Sequence, residues 1–146
     1  MSDIPFDDEE IKILPKTVKI KLDTIFSDKR GKIIPILDLP IKSCVLITSK
    51  KDTIRGNHYH KTDWHFCYVL NGSIEYYYKP VDDSEPIKKV KIKKGELFFT
   101  PPQVIHAMVF RENTTFLTLG RNSRKQAVYE SDIVRIELIS SNVVFE

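Results

Sequence analysis

All four histidines of the chain lie in two short stretches that also contain turn residues. His58, His60 and His65 fall within residues 55–72, and His106 lies in a second stretch further along the chain. His58 and His60 are two residues apart, so on an extended strand both rings point to the same face. Imidazole is the side chain best suited to proton transfer near neutral pH, and it is also the commonest metal ligand. The sequence therefore predicts one site of acid–base or metal chemistry.

A predicted hairpin places tyrosines beside these histidines. The strand of residues 65–70 runs into Asn71-Gly72, which is the strongest short-range signal of a β-hairpin. A two-residue turn would pair His65 with Tyr78, and Tyr76 would lie two residues away on the same face. The pattern thus predicts two phenols next to the histidine cluster.

The four histidines admit two interpretations. In the first, His58, His60, His65 and His106 bind a divalent ion such as Zn, Fe, Ni or Mn through neutral imidazole nitrogens. Such an ion would acidify bound water or attract an anionic substrate. In the second, the same rings line a cavity without metal and form hydrogen bonds to tyrosines and to substrate. The histidines by themselves leave both interpretations open.

The rest of the composition excludes several classes of protein. The 146 residues suit one domain. The net charge of +3 comes from scattered lysines without an aromatic-interleaved basic block, which argues against nucleic-acid binding. No apolar run approaches the ~20 residues of a membrane span. The acidic start of the chain does not have the pattern of a signal peptide, so we expect a cytoplasmic protein with reduced Cys44 and Cys67.

Short strands separated by turn residues dominate the sequence. Alternating or continuous apolar runs predict strands at residues 18–22, 32–37, 41–49, 54–60, 65–70, 73–79, 87–92, 96–100, 104–110, 115–120, 126–129 and 133–138. No segment shows a sustained 3.6-residue apolar period, so the expected class is an all-β sandwich or barrel. We expect an N-terminal arm at 1–14, with Pro5 and Pro15 disfavouring regular structure, a single barrel at 15–140 and a C-terminal tail at 141–146.

The two histidine stretches resemble the two motifs of the cupin superfamily. The first motif is similar to Gly56-x-His58-x-His60-x4-His65-x6-Gly72, and the second to Gly95-x5-Pro101-x4-His106. His65 stands where many members carry Glu, Gln103 where a Gly is usual and Phe110 where an Asn is usual. The resemblance implies a double-stranded β-helix, or jelly-roll barrel, whose interior holds the imidazoles. It places all four histidines at ligand positions of the superfamily, which favours the metal-binding interpretation. It does not by itself specify an activity, because one fold hosts many.

Within this superfamily, the segment Arg55-Gly-Asn-His-Tyr-His-Lys61 resembles the sugar-nucleotide enzymes. These are the dTDP-4-dehydrorhamnose 3,5-epimerases and the dTDP-4-keto-6-deoxyhexose 3,4-ketoisomerases. Residues 26–31 are similar to the Asp-x-Arg-Gly segment of those enzymes. The ketoisomerases typically have Gln at the position of His65, and the sequence does not reveal the acidic partner that the epimerases provide for their catalytic histidine.

The resemblance implies catalytic roles for four side chains. His58 or His60 would remove the acidic C3 proton of a 4-keto sugar to give an enediol. Tyr76 or Tyr78 would return a proton or stabilise the developing oxyanion. A bound metal ion would take over that last role as a Lewis acid.

Three further residues are candidate contacts to a nucleotide sugar. Arg55 and Lys61 are expected to bind its anionic portion, and Arg55 is equally plausible as a structural ion-pair partner. Trp64 either stacks on the substrate or packs at the rim of the barrel. Two other functions stay open: an all-His iron oxygenase, and a non-catalytic sugar- or nucleotide-binding module. Apolar residues on both faces of the 65–70 strand indicate a covering surface, and we expect a homodimer.

Overall fold

The chain is built from twelve strands and three short helices in a computed structural model that describes residues 7–82 and 84–145. Residues 1–6 of the predicted arm and residue 146 of the predicted tail lie outside the described residues. The elements are α1 (Asp8–Ile13), β1 (Lys19–Ile20), β2 (Phe26–Asp28), β3 (Gly31–Ile33), β4 (Ser43–Ser49), β5 (Thr53–His60), β6 (His65–Asn71), β7 (Ser73–Pro80), β8 (Lys88–Lys93), β9 (Leu97–Thr100), β10 (Val104–Phe110), β11 (Thr114–Gly120), α2 (Gln126–Asp132), β12 (Ile133–Arg135) and α3 (Ser141–Phe145). No helix within the described ranges is long and apolar enough to cross a membrane.

Two five-stranded antiparallel sheets form the barrel. The first sheet has the order β1-β9-β6-β11-β4 and the second the order β12-β5-β10-β7-β8. Strands that are consecutive in the chain mostly belong to opposite sheets, as in a jelly roll. The predicted all-β jelly-roll class is therefore confirmed.

The interior between the sheets is apolar at one end. Its fully buried side chains come from six strands and alternate with outward-facing residues: Cys67, Val69, Ile74, Tyr76, Ile92, Phe98, Phe110 and Phe116. Burying a large apolar side chain of this kind contributes ~1.5–3 kcal/mol. This cluster packs the two sheets against each other and supports the polar end of the barrel, where the histidines lie.

A second apolar cluster covers the outer face of the first sheet. It consists of Leu14, Trp64, Phe66, Leu97 and Phe99, with residues of the N-terminal region packed against it. The covering surface expected for this face is thus supplied largely by the chain itself. The expectation of an irregular arm is wrong for residues 8–13, which form α1. Asp7 caps the start of that helix, because its carboxylate accepts a hydrogen bond from the Glu10 amide at 2.8 Å.

The predicted hairpin between β6 and β7 is wrong. The two strands belong to different sheets, and the chain crosses the barrel at Asn71-Gly72. Gly72 has a φ of +85° but Asn71 does not have a positive φ, so the two-residue turn is not formed. A Cβ on Gly72 would lie 2.4 Å from Thr114 Oγ1, which explains the glycine by close packing against β11. The predicted common face survives, because side chains of both strands meet in the interior core.

One other segment differs from the sequence-based expectation. Residues 126–129, predicted as a strand, begin helix α2. Residues 26–31, which are similar to the Asp-x-Arg-Gly segment, belong to the small hairpin formed by β2 and β3. Helix α2 has a polar sequence without an apolar face, so local periodicity does not identify it. Its conformation depends on contacts with the histidine end of the barrel, which are described next.

Candidate active site

Strand pairing in the second sheet aligns five polar side chains in one row. β10 lies between β5 and β7, so that His106 is the partner of both His58 and Tyr78. The same row continues to Arg135 on β12 and to Lys88 on β8. Cross-strand partners share a face of the sheet. Two imidazoles and a phenol therefore lie side by side on the barrel interior, with a cation at each end of the row.

A β-bulge immediately before His58 sets its direction. The pairing of β5 with β10 shifts register here, and both Gly56 and Asn57 have positive φ values, +88° and +55°. The Asn57 side chain accepts hydrogen bonds from the backbone amides of Leu138 and Ile139 at 2.9 and 3.0 Å. Because a bulge re-aims the residues that follow it, this segment directs His58 towards its neighbours in the barrel.

The imidazole rings form a cluster of neighbouring rings inside the barrel, which His65 joins through its contact with His60. Ring centroids are 4.9 Å apart for His58 and His60, 4.8 Å for His58 and His106, and 4.8 Å for His60 and His65. Only three of the rings offer ligand atoms that all lie within 4.8 Å of one another, namely those of His58, His60 and His106. The prediction of four metal ligands is therefore not supported for His65, and metal binding by the other three rings stays a prediction.

His60 has a buried carboxylate partner that the sequence does not reveal. Its Nδ1 lies 3.2 Å from Oδ2 of Asp132, and the side chains are only 1% and 3% exposed. Asp132 also accepts hydrogen bonds from the amide and hydroxyl of Thr62 and from the amide of Asp63. Burial alone would raise the pKa of Asp132, but the hydrogen bonds from His60 and Thr62 lower it to about 2. The ionised carboxylate thus orients His60 with its Nε2 free.

His65 belongs to a second histidine–carboxylate pair. Its Nε2 lies 3.0 Å from Oδ2 of Asp63, and the other oxygen of Asp63 accepts the Asn122 amide at 2.9 Å. Burial acts to raise the pKa of Asp63, but the interactions with His65, the Asn122 amide and His60 together outweigh it and the pKa is lowered. All four oxygens of Asp63 and Asp132 are therefore engaged by protein donors. This argues against a metal ion between these carboxylates, although their ligand atoms and that of His60 lie within 4.8 Å of one another.

The three histidines at the centre of the cluster are neutral near pH 7. Burial lowers the pKa of His58 to about 3, with a further contribution from the neighbouring imidazoles. Burial also lowers the pKa of His60, despite the opposing effect of Asp132, and holds that of His106 well below its usual value. His106 Nδ1 donates to the Val104 carbonyl at 3.1 Å, which leaves its Nε2 as an acceptor. Neutral imidazoles of this kind either accept a proton or bind a metal ion.

Helix α2 and the residues just before it supply two further side chains next to the cluster. The ring of Tyr129 lies 5.7 Å from His60 and 6.3 Å from His58, centroid to centroid. The Arg124 guanidinium stacks on Tyr129, with Cζ 3.5 Å from the ring centroid. Burial raises the pKa of Tyr129, so its phenol remains protonated. Asp132, Tyr129 and Arg124 are not among the site residues predicted from the sequence, which predicts a strand at 126–129 in place of helix α2.

The two tyrosines predicted from the hairpin lie on the interior side of β7. Tyr76 is fully buried, stacks on Tyr78 at 5.3 Å and lies 6.0 Å from His106. Burial raises the pKa of Tyr76, and the Thr100 hydroxyl offsets this only in part. Tyr78 is half-buried and lines, with Lys88 and others, a cavity of about 560 Å³. Of the two, Tyr78 is the more accessible to a ligand.

The residues predicted to bind substrate lie at three different places. Arg55 donates to Ser49 Oγ at 2.7 Å and to the Thr48 carbonyl at 2.9 Å, which anchors it to β4. Lys61 Nζ donates to a backbone carbonyl of α2, and any contact of either residue with substrate stays a prediction. Trp64 is 2% exposed in the outer apolar cluster, and its Nε1 donates to Glu10 at 3.0 Å. Trp64 thus takes the packing position rather than the stacking one.

Comparison with protein families provides the assignment that the histidine motifs suggested. Residues 45–119, about half of the chain, match the cupin domain family. This protein belongs to the cupin family. The matched region contains the four histidines of the cluster, and the family match agrees with the jelly-roll topology. A comparison of this cupin with curated proteins finds no significant match.

Solved structures with the same fold include sugar-nucleotide enzymes. The sugar 3,4-ketoisomerase QdtA from Thermoanaerobacterium thermosaccharolyticum in complex with TDP is 26% identical, with a TM-score of 0.62 over 81% of this cupin and 85% of that chain. A double mutant of QdtA with TDP is 29% identical, with a TM-score of 0.62 over 81% and 84% of the two chains. A dTDP-4-dehydrorhamnose 3,5-epimerase from Sulfolobus tokodaii, 20% identical over 81% and 74% at a TM-score of 0.62, shares the fold.

Proposed function

We propose that this cupin is an isomerase or epimerase that transfers a proton next to the keto group of a nucleotide-linked sugar. The observation that carries the proposal is the buried pair of His60 and Asp132 beside the neutral ring of His58. The likeness to a ketoisomerase that binds TDP supports the choice of a nucleotide sugar as substrate.

The His60–Asp132 pair has the properties of a general base. Asp132 accepts the Nδ1 proton of His60, so the Nε2 lone pair is available to the C–H bond adjacent to a carbonyl. When His60 takes up the C3 proton, the nearby carboxylate stabilises the imidazolium that forms. The electrons of the C–H bond move into the C3–C4 bond, and the carbonyl oxygen becomes an enediolate oxygen.

The remaining steps require a donor to that oxygen and a proton for the neighbouring carbon. Two groups beside His60 are suited to them: the His58 imidazole, 4.9 Å away between centroids, and the Tyr129 phenol. Protonation at C4, with loss of the C3 hydroxyl proton to the group that donated a proton to the C4 oxygen, gives the 3-keto isomer. Protonation at C3 from the opposite face, with return of the C4 oxygen to a carbonyl by loss of its proton to the same group, gives the epimer. Tyr78, the partner of His106 in the row across the sheet, remains the candidate among the predicted tyrosines.

A second candidate function is metal binding by His58, His60 and His106. The observation in its favour is that one ligand atom of each lies within 4.8 Å of the others. Asp132 on His60 and the Val104 carbonyl on His106 are the usual outer partners of metal-bound imidazoles. The residues therefore fit an ion such as Zn, Fe, Ni or Mn, which would supply Lewis-acid chemistry when bound. The two candidates compete, because a lone pair of His60 that binds metal cannot accept a proton.

The experiment that tests the proposal uses TDP-4-keto-6-deoxyglucose in deuterated water. We expect the protein, stripped of metal by a chelator, to exchange the C3 proton for deuterium, as followed by NMR. His60→Gln should abolish this exchange, and Tyr77→Phe, which changes a phenol on the outer face of β7, should not alter it. Absence of exchange by the wild-type protein with several nucleotide sugars would contradict the proposal. Loss of exchange on chelation, with recovery on adding one metal, would favour the second candidate.

We also propose that the protein is a homodimer. The hairpin of β2 and β3 pairs with no other strand in the described part of the chain, and an isolated two-stranded hairpin is marginally stable. Ile25 and Ile33 on it are 72% and 61% exposed. A second copy would cover these side chains. Light scattering should give twice the monomer mass, and a monomer at micromolar concentration would contradict this.

A further inference from the structure

The cations near the histidine cluster differ in whether they have a partner. Arg135, at the end of the polar row, makes two hydrogen bonds of 3.0 Å to the Glu130 carboxylate. Lys61 Nζ donates to the Ser131 carbonyl at 3.1 Å. Arg124 lies on the face of an aromatic ring and forms no ion pair with a described residue. Its guanidinium donors are therefore available to a ligand.

The stacking of Arg124 on Tyr129 orders its planar group without using its donors. The guanidinium lies over the ring face at 3.5 Å, whereas its N–H groups point outwards in its own plane. That edge matches the paired oxygens of a phosphate. The same Tyr129 ring lies 5.7 Å from His60 and 6.3 Å from His58. An anion held by Arg124 would thus lie at the border of the histidine cluster.

We propose that Arg124, held on Tyr129, binds the diphosphate of the substrate and so positions the attached sugar against His58 and His60. This inference rests on the function proposed above and names the residue that recognises the nucleotide end of the substrate. The sequence motif predicts that Arg55 binds this anionic group, and the inference assigns that contact to Arg124 instead. Arg55 is less suited to it, because two hydrogen bonds already anchor its guanidinium to β4.

Binding of TDP tests the role of Arg124 directly. Arg124→Ala should weaken TDP binding, measured by calorimetry, by roughly 10- to 100-fold, as expected for lost hydrogen bonds between charged groups. Lys125→Ala is the matched control, because it removes the same charge from the adjacent exposed residue, and it should change the affinity less than threefold. Arg124→Lys should give an intermediate affinity, since an ammonium group cannot bind two oxygens in the same way. Thermal unfolding of each variant checks that it remains folded.

Two further measurements separate a phosphate contact from other roles. Thymidine, which lacks phosphates, should inhibit deuterium exchange by wild type and Arg124→Ala with the same constant. If Arg124→Ala lost affinity equally for thymidine and for TDP, the inference would be overturned, because Arg124 would then contact the thymine base and not the phosphates. Tyr129→Phe keeps the stacking ring and should preserve TDP affinity, whereas Tyr129→Leu should weaken it.

Kinetics distinguish a failure of this inference from a failure of the proposed function. Arg124→Ala should raise KM for the nucleotide sugar with little change in kcat, because it acts on binding rather than on the proton. Unchanged TDP affinity in Arg124→Ala, together with normal exchange by the wild type, would overturn the inference and leave the His60–Asp132 chemistry standing. Absence of exchange together with the expected loss of TDP binding would count against the chemistry alone.

Discussion

Replacing Asp132 by Asn tests whether one buried carboxylate both stabilises the fold and orients the base. Oδ1 of Asp132 accepts the amide and the hydroxyl of Thr62 at 2.9 and 2.7 Å. Oδ2 accepts Nδ1 of His60 at 3.2 Å and the amide of Asp63 at 3.1 Å. In either orientation, the Asn side chain would point its NH₂ group at a backbone N–H. One buried donor therefore loses its acceptor whichever way the amide turns.

The magnitude follows from the hydrogen bonds that are lost. A buried polar group left unsatisfied costs ~1–3 kcal/mol, and hydrogen bonds to a charged group are at the upper end of that range. We expect Asp132→Asn to lower the free energy of unfolding by about 2–4 kcal/mol, which a domain of typical stability tolerates. When the NH₂ group faces His60, Nδ1 must accept a hydrogen bond and the proton moves to Nε2. The base is then lost, and exchange should slow by about 10²- to 10⁴-fold.

Three measurements follow the two effects of this substitution. Urea unfolding gives the change in stability, deuterium exchange at C3 gives the change in rate, and the ¹⁵N shifts of the His60 ring report its tautomer. Glu130→Gln is the matched control, since it removes the same charge from the neighbouring exposed ion pair with Arg135 and should change the stability little, because exposed ion pairs contribute little. Unchanged exchange in Asp132→Asn, with the His60 proton still on Nδ1, would refute the reasoning.

Three other predictions concern stability. The pKa of His58 is about 6.5 in the unfolded chain and about 3 in the folded protein, so the unfolded state binds the proton first as the pH falls. The stabilisation from this neutral ring is therefore fully present above pH 6.5 and is lost as the pH falls towards 3. The urea midpoint of unfolding should decrease over this interval, and a constant midpoint would contradict the burial effect. Gly72→Ala should lower the free energy of unfolding by more than about 3 kcal/mol, because the new Cβ would lie 2.6 Å from the Asn113 carbonyl and φ at this position is positive. A smaller loss in thermal unfolding would show that the backbone between β6 and β7 can adjust to a side chain. Glu10→Ala should make α1 more susceptible to proteolysis, because it removes the acceptor of Trp64 Nε1, and it should lower the free energy of unfolding by about 1–3 kcal/mol. Unchanged cleavage would show that this hydrogen bond does not hold α1 to the barrel.

The fold and the histidine cluster could be predicted from the sequence because both depend on short-range patterns. The alternating runs identified most strands, including β10 with both its ends. The His58-x-His60 spacing determined that two rings share a face, and the motif at His106 indicated the neighbouring strand. These signals lie within a few residues of one another, where strand geometry leaves little choice.

Features that depend on long-range contacts could not be predicted in the same way. Asp132 lies 72 residues beyond His60, and nothing in its local sequence distinguishes it from a surface acid. Asn71-Gly72 favours a hairpin locally, but β6 and β7 both find partners in opposite sheets. The sequence predicts His65 as a metal ligand and not as the partner of Asp63. The two residues are only two apart, but Asp63 lies on a bend whose course the sequence does not determine. In each case tertiary packing prevails over local preference.

The bulge before His58 links the centre of the protein to a distant part of the chain. Asn57 accepts the amides of Leu138 and Ile139 and donates to the Ile139 carbonyl, so its left-handed backbone is stabilised by residues beyond the last strand. A truncated gene product that ended before Leu138 would keep every histidine and every barrel strand, yet it would lose the three bonds that hold this bend. The segment that follows β12 is therefore part of the minimal unit that holds His58 in place, and a shortened variant should retain it.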